Sequence, residues 1–351
     1  MAQTPSDSAV HRALAALAAG EPLGESLTQQ AFGQVMLGAA TPAQVGALLM
    51  GLRVRGEAAE ELAGAVLALR EAMVRVDVRQ RQHLVDTCGT GGGTVPTFNI
   101  STAAALVAAG AGAVVAKHGN RSYTSRCGSA DVLEALGVAI EEDAGRAASS
   151  LERAGFAFLF APAFHPAMRH VAPVRREIAV ATIMNVIGPL ANPAGVERQL
   201  IGVADAARGQ LMAEVLRRLG AKHALVVHGE VGMDEIAPAG ETTFWEVRDG
   251  ELTSGSIDPA RYGLEVTDLD ALAGGEPDEN AERVRRLLDN PAGDPAGRAA
   301  VGLNAGAALY VAGLADNLEG GIDRALTALD GAAGAATLER LREGGAVSTS
   351  G

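Results

Sequence analysis

The stretch LVDTCGTGGGTVPTFNISTAAALVAAGAGAVVAKHGNRSYTSRCGSADVLEALG, residues 84–137, decides the fold. It opens on a short strand-like run, Leu84–Cys88, that ends in the glycines 89 and 91–93. Asn99-Ile100-Ser101-Thr102 then begins an Ala-rich helix, and a second short apolar run, Gly112–Ala116, follows it. A second polar loop, 117–125, comes next, before Gly128-Ser129-Ala130-Asp131 opens another helix. Strand, loop, helix, strand, loop, helix is the signature of βαβ units and a mainly parallel sheet. Ligands of such sheets bind at the carboxyl ends of the strands.

Outward from this core the same alternation continues. Short apolar runs at Phe156–Phe160, Leu200–Ala204, Ala224–His228 and Thr243–Val247 are separated by helical stretches such as 129–137, 142–153 and 207–219. Upstream, residues 1–78 read as helices at 6–19, 25–37, 42–54 and 58–76. In the last, Leu62, Val66, Leu69, Met73 and Val76 recur at steps of three and four. Thr41-Pro42 is a good helix start. The tail, 277–345, is helical, broken near Asp294 by Pro291 and Pro295 and punctuated by Gly331 and Gly334. The expected fold class is α/β: a small N-terminal helical domain, residues 1–78, and a larger α/β domain, 79–351, with a mainly parallel central sheet and C-terminal helices.

Composition narrows the function. The net charge of −13 speaks against a nucleic-acid-binding surface. The longest apolar stretch, about Thr102 to Ala116, is too short and glycine-rich to span a bilayer, and MAQTPSDSAV has no signal-peptide pattern. The two cysteines, Cys88 and Cys127, fit neither a zinc pattern nor a disulfide framework. A cytoplasmic protein without membrane or nucleic-acid partners is expected.

A glycine loop ahead of a helix turns backbone N–H groups toward an anion, and the helix adds its positive end. Alone it is an ordinary turn. The second loop, Lys117-His118-Gly119-Asn120-Arg121-Ser122-Tyr123-Thr124-Ser125, changes the reading, because it concentrates a cation, an imidazole, an amide, a guanidinium and hydroxyls. Two anion-competent loops after successive strands suit a ligand with two phosphates, or a diphosphate plus a phosphate. Asp234-Glu235, just past the run 224–228, is placed to hold Mg²⁺, although most such pairs are surface charges. In the segment 165–193, Arg169, Arg175 and Arg176 are cations able to pair with a carboxylate, against the bland reading of solvated helix charges. His165 and His170 are expected to make ordinary hydrogen bonds.

In order and spacing, GTGG at 89–92, NIST at 99–102, KHGNR at 117–121, GSADVLEALG at 128–137, HPAM…VAPVRRE…NVIGPLANP at 165–193 and HG…GMDE at 228–235 resemble the anthranilate phosphoribosyltransferase family of tryptophan biosynthesis. The resemblance covers nearly the whole chain. It implies that Gly89, Gly92, Gly93, Thr97, Asn99, Ile100, Ser101, Thr102, Lys117, His118, Gly119, Asn120, Arg121, Ser122, Tyr123, Thr124, Ser125 and Ser129 hold phosphoribosyl pyrophosphate. Gly89, Asn120 and Arg175 would contact anthranilate, Ser101, Asp234 and Glu235 would serve Mg²⁺, and Lys117 would stabilise the leaving diphosphate. The family also implies a homodimer, and helices from about 165–190 joining the helical domain in space. One position departs: the family's glycine loop ends in Asp where this chain has Gly93. The rival readings are a pyrimidine nucleoside phosphorylase of the same fold, which differs at the KHGNR loop, and a non-catalytic binding protein.

Overall fold

Helix-start chemistry sets the N-terminal bundle of the computed structural model, which describes residues 8–122, 126–140 and 143–346. Helices α1 (Ala9–Ala18), α2 (Gly24–Met36), α3 (Pro42–Arg55) and α4 (Ala59–Ala72) form it. Thr41 Oγ1 accepts from Gln44 N at 3.3 Å while Thr41 N donates to Gln44 Oε1 at 3.0 Å, a reciprocal cap with Pro42 at the first helical position. The helix expected over 58–76 stops at Ala72. From Met73 the backbone is extended, and Val74 N and Val76 N donate to Phe164 O and Pro193 O at 2.8 and 3.0 Å. Val76 thus keeps its apolar burial but gives it to a cluster with Leu84, Val114 and Leu159, not to the bundle.

The rest of the chain alternates. Its elements are β1 (Leu84–Gly89), α5 (Ile100–Gly110), β2 (Val114–Gly119), α6 (Ser129–Ala135), α7 (Ala144–Ala154), β3 (Phe156–Phe160), α8 (Ala161–Phe164), α9 (Ala172–Ile178), α10 (Met184–Ile187), β4 (Arg198–Gly202), α11 (Ala206–Arg218) and β5 (His223–Gly229). The hairpin β6 (Thr242–Arg248) and β7 (Glu251–Ile257) follows, then α12 (Pro277–Asp289), α13 (Pro295–Val311), α14 (Leu318–Asp330) and α15 (Ala333–Ala346). The seven strands lie in the order β3-β2-β1-β4-β5-β6-β7. The first five are parallel, and β6 and β7 are antiparallel to their neighbours. Strand β7 carries no apolar run and escaped the sequence reading. The signal was Asp249-Gly250, both at positive φ (51° and 88°), the turn that a two-residue hairpin requires.

Three apolar clusters lie against the sheet, the one around Val76 and Leu84 and two larger ones. On one face α5, α12, α13 and the last helices pack together; on the other, the N-terminal helices, residues 167–191 and α11 form one apolar cluster with Ile201, Val203, Ala224 and Val226. Helices α5 and α11, which follow β1 and β4, therefore lie on opposite faces. The strand order reverses between β1 and β4, so a crevice opens there at the carboxyl ends, where doubly wound sheets take their ligands. Among the described residues no helix is long and apolar enough to cross a membrane.

Candidate active site

The crevice is lined first by the glycine loop. Gly91 and Gly92 have positive φ, 67° and 89°, and turn the chain back after β1. The loop is fastened to its neighbours: Thr90 N donates to Gly202 O at 2.9 Å and Thr94 N to Gly232 O at 2.8 Å. Gly93 is not in the left-handed region. Its hydrogen is needed for space, because a Cβ would stand 2.7 Å from Asp234 Oδ1 and 3.1 Å from Gly232 O. The Asp234 carboxylate also lies against Gly89, where a Cβ would come 3.3 Å from Oδ2. The position that parts from the family is therefore in contact with the carboxylate expected to serve the metal.

Asn99 stands at the start of α5 but makes no side-chain cap. Its amide joins two other segments, donating to Cys127 O at 3.1 Å and accepting from Asn280 Nδ2 at 2.9 Å. Thr97 forms a bridge to Ala273. Ile100 and Thr102 are fully buried, so Ile100 has only its backbone to offer a ligand; Thr102 Oγ1 has no hydrogen-bond partner. Ser101 connects the parts: its N–H donates to Glu235 Oε1 at 3.0 Å, and its hydroxyl accepts from Lys117 Nζ at 3.3 Å.

Lys117 ends up beneath this loop. It is 2% exposed, and its ammonium donates to Thr87 O, to Thr87 Oγ1 and to Ser101 Oγ, a full set of acceptors. Burial pulls its pKa down, while Asp86, Cys88 and Glu235 hold it up. Below it Asp86 is fully buried, accepting from Asn192 Nδ2 at 2.8 Å and His118 N at 3.1 Å; burial lifts its pKa to about 6. Glu235 is pushed up to about 8, by burial and then by Asp234. Its Oε2 is buried with no donor on it. A carboxylate held this way suits a cation. Among the described residues no three His, Cys, Asp or Glu side chains converge as a complete metal cage. Two carboxylates and a serine fit a hard ion that keeps water and ligand oxygens in its shell, as Mg²⁺ does.

The second loop closes the site from the β2 side. His118 Nε2 lies 3.2 Å from His165 Nε2. Burial lowers His118 to about 3, helped by His165, and lowers His165 to about 4, so both are neutral at pH 7. His165, expected to be an unremarkable hydrogen-bonding residue, thus faces the loop; its distance in sequence hid this. Gly119 packs against Phe158 and Ser129, a Cβ there meeting Ser129 Oγ at 2.5 Å. The Asn120 carbonyl accepts from Ala130 N and Ser129 Oγ, both at 3.3 Å, and its Oδ1 accepts from Arg121 N at 2.8 Å. Arg121 pairs with Asp131 and Glu134, and Ser122 N donates to Asp131 at 3.3 Å. Tyr123, Thr124 and Ser125 lie outside the described residues.

Arg175 is half-buried on α9. Its segment spans the crevice: His165 meets His118, Pro189 O accepts from Cys88 Sγ at 3.8 Å, and Asn192 reaches Asp86. Asn304 on α13 was also missed by the sequence reading. Its amide brackets Ile236, accepting from its N–H at 3.0 Å and donating to its carbonyl at 2.9 Å, which fixes the register of Asp234 and Glu235. Its signal was a lone amide in an Ala-rich helix.

Known proteins agree with this architecture. Residues 81–336 match the glycosyl transferase family, a/b domain, and residues 11–73 match the glycosyl transferase family, helical bundle domain. Anthranilate phosphoribosyltransferase of Rubrobacter xylanophilus is 49% identical over 94% of this chain and 96% of its own, and that of Clostridium beijerinckii is 45% identical over 95% and 97%. The crystal structure of the Thermus thermophilus enzyme superposes with a TM-score of 0.89, at 44% identity, covering 96% of this chain and 99% of that one. The Saccharomyces cerevisiae enzyme in complex with phosphoribosyl pyrophosphate and Mg superposes with a TM-score of 0.87, at 26% identity, covering 97% and 99%. With its helical bundle, its α/β domain and its two loops at the strand reversal, the chain belongs to the anthranilate phosphoribosyltransferase family.

Proposed function

We propose that this chain transfers the phosphoribosyl group of phosphoribosyl pyrophosphate to the amine of anthranilate, giving N-(5-phosphoribosyl)anthranilate and pyrophosphate in tryptophan biosynthesis. The observation that carries the reading is the junction at Ser101. One residue joins the N-terminus of α5, the buried ammonium of Lys117 and the Asp234-Glu235 loop. A diphosphate there meets loop N–H groups, a helix start and a fixed positive charge.

In this reading the glycine loop, Thr97, Asn99 to Thr102, and Lys117 to Asn120 with Ser129 bind the phosphoribosyl donor. The C1′–O bond breaks, the electron pair leaves with pyrophosphate, and positive charge builds on the ribose ring. The anthranilate nitrogen closes the new bond to C1′ and gives its proton to water. Lys117 acts through its field, since its protons are already engaged beneath the loop. Arg175 and Asn120 orient anthranilate, the guanidinium opposite its carboxylate. Mg²⁺ held by Ser101, Asp234 and Glu235 would neutralise the departing pyrophosphate. No side chain serves as nucleophile: burial pushes both thiols up, Cys127 to about 11. Rate enhancement comes from positioning and charge stabilisation. The same reading includes a cytoplasmic homodimer. The test is loss of anthranilate fluorescence with phosphoribosyl pyrophosphate and Mg²⁺; no loss, together with phosphorolysis of thymidine or uridine, would replace it with a phosphorylase.

A further inference from the structure

Arg121 belongs to the loop that the family resemblance assigns to phosphate binding, yet its guanidinium is engaged elsewhere. Nη1 donates to Asp131 Oδ1 at 2.9 Å and to Glu134 Oε2 at 2.5 Å, and the group sits over the Phe160 ring, 5.7 Å from its centroid. Asp131 is a hub. Besides Arg121 it accepts from Gly128 N at 2.8 Å and Ser122 N at 3.3 Å, both on Oδ2. Burial pushes its pKa up, but these N–H groups and the guanidinium hold it below the usual carboxylate range. Contact between the loop and the start of α6 is close enough to require Gly128, where a Cβ would stand 2.4 Å from Ser122 N.

We propose that Arg121 is a positioning residue, a strut tied to Asp131 and Glu134 that holds Asn120 and Ser129 in place, and not a phosphate ligand. The chemistry favours this division of labour. A planar guanidinium can bridge two carboxylates and stack on a ring at once, which an ammonium cannot. Two carboxylates beside Arg121 also cancel the positive charge that a phosphate would seek. Asn120, fixed by three hydrogen bonds to Arg121 N, Ala130 N and Ser129 Oγ, is the residue whose placement the strut secures. The strut holds residues 120–122 against the start of α6 in advance, so less binding energy is spent on placing them.

The inference rests on the phosphoribosyl-transfer reading, and the test separates the two. Arg121→Ala, Asp131→Asn and the double variant are compared with wild type, with Glu134→Gln as a milder variant at a more exposed partner. Each single variant is expected to raise the KM for phosphoribosyl pyrophosphate about three- to tenfold, the loss falling mainly on KM. The double variant should lose less than the product of the two single losses, because the Arg121–Asp131 contact is removed in both. Hydrogen exchange in the ligand-free proteins should quicken at the amides of residues 120–122. Losses that multiply in the double variant, or a kcat fall in Arg121→Ala that Asp131→Asn does not share, would overturn the strut and make Arg121 a ligand. Unchanged exchange would overturn it too. A wild-type protein without turnover would sink the transfer reading alone, since exchange reports on the strut regardless.

Discussion

Replacing Gly93 by Asp introduces the residue that the family resemblance leads one to expect there, and the structure gives the outcome a sign. A Cβ at 93 would be 2.7 Å from Asp234 Oδ1, so even alanine must push a buried carboxylate aside. Such crowding costs on the order of 1–3 kcal/mol. Asp adds a second negative charge roughly 5 Å from the first, worth about 3 kcal/mol of repulsion at an intermediate dielectric. Burial already raises the pKa of Asp234, so the added charge falls beside a carboxylate that is already costly to ionise. The comparison to make is Gly93→Asn with Gly93→Asp, because the two side chains match in shape and differ in charge. Denaturant unfolding at pH 7.5 without Mg²⁺ should find the Asp variant the weaker by about 3 kcal/mol, and the gap should narrow as Mg²⁺ is added with phosphoribosyl pyrophosphate. Initial rates across a wide Mg²⁺ titration should show the Asp variant's optimum shifted from that of wild type. Equal stabilities of the Asn and Asp variants, with superimposable Mg²⁺ profiles, would refute the reasoning: position 93 would then not feel Asp234.

Arg175→Ala should raise the anthranilate KM by roughly ten- to a hundredfold, the loss of a charge-assisted bond, while affinity for phosphoribosyl pyrophosphate holds; an unchanged anthranilate KM removes Arg175 from the acceptor site. Asp234→Asn with Glu235→Gln should lower kcat sharply and raise the Mg²⁺ needed for half-maximal rate; an unaltered Mg²⁺ dependence would place the metal elsewhere. Acid should loosen the fold through the buried His118–His165 pair. The unfolded chain takes up their protons below about pH 6.5, and the fold refuses them until about 4 and about 3. Their stabilisation is therefore present above pH 6.5 and lost as pH falls below it, about 2 kcal/mol each at pH 5. Asp86, lifted to about 6, works the other way and returns roughly 1 kcal/mol at that pH. Glu235, pushed up to about 8, returns roughly 2–3 kcal/mol more over the same range, so the pair's share is read as the difference between wild type and His118→Asn with His165→Asn. Equal pH dependence of the two between pH 7 and 5 would contradict the burial of the pair.

The sheet and both loops were legible in residues 84–137 because glycines, helix-start residues and short apolar runs are local signals. What escaped is what depends on return of the chain. His118 and His165 are 47 residues apart and meet only once β2 and β3 are paired. Arg121 meets Asp131 and Glu134 across ten and thirteen residues, a distance over which loop and helix had to fold back. Its positive charge read naturally as a phosphate ligand, since nothing local marked the carboxylates as its partners. Period alone carried the fourth helix four residues too far, to Val76, because an apolar residue at the right spacing does not reveal which core it joins. The family itself was readable through the order of its motifs; the burial of Lys117 beneath the loop was not, because it depends on the neighbouring strand.

The β6–β7 hairpin has a consequence for how copies of this chain meet in a crowded solution. Every parallel sheet must end somewhere, and its last strand offers unpaired N–H and C=O groups to any passing strand. Here the chain doubles back twice, so that the outermost strand on that side is Glu251–Ile257, mostly exposed and made of Glu, Thr, Ser and Gly around two apolar residues. Such a border gives an incoming strand hydrogen bonds but almost no apolar surface to bury, which leaves edge-to-edge pairing without its main driving force. The opposite border, β3, is five buried residues, FAFLF. The hairpin therefore serves as a hydrophilic hem, and apolar substitutions at Thr253 or Ser254 would promote aggregation of the native protein before they weakened its fold.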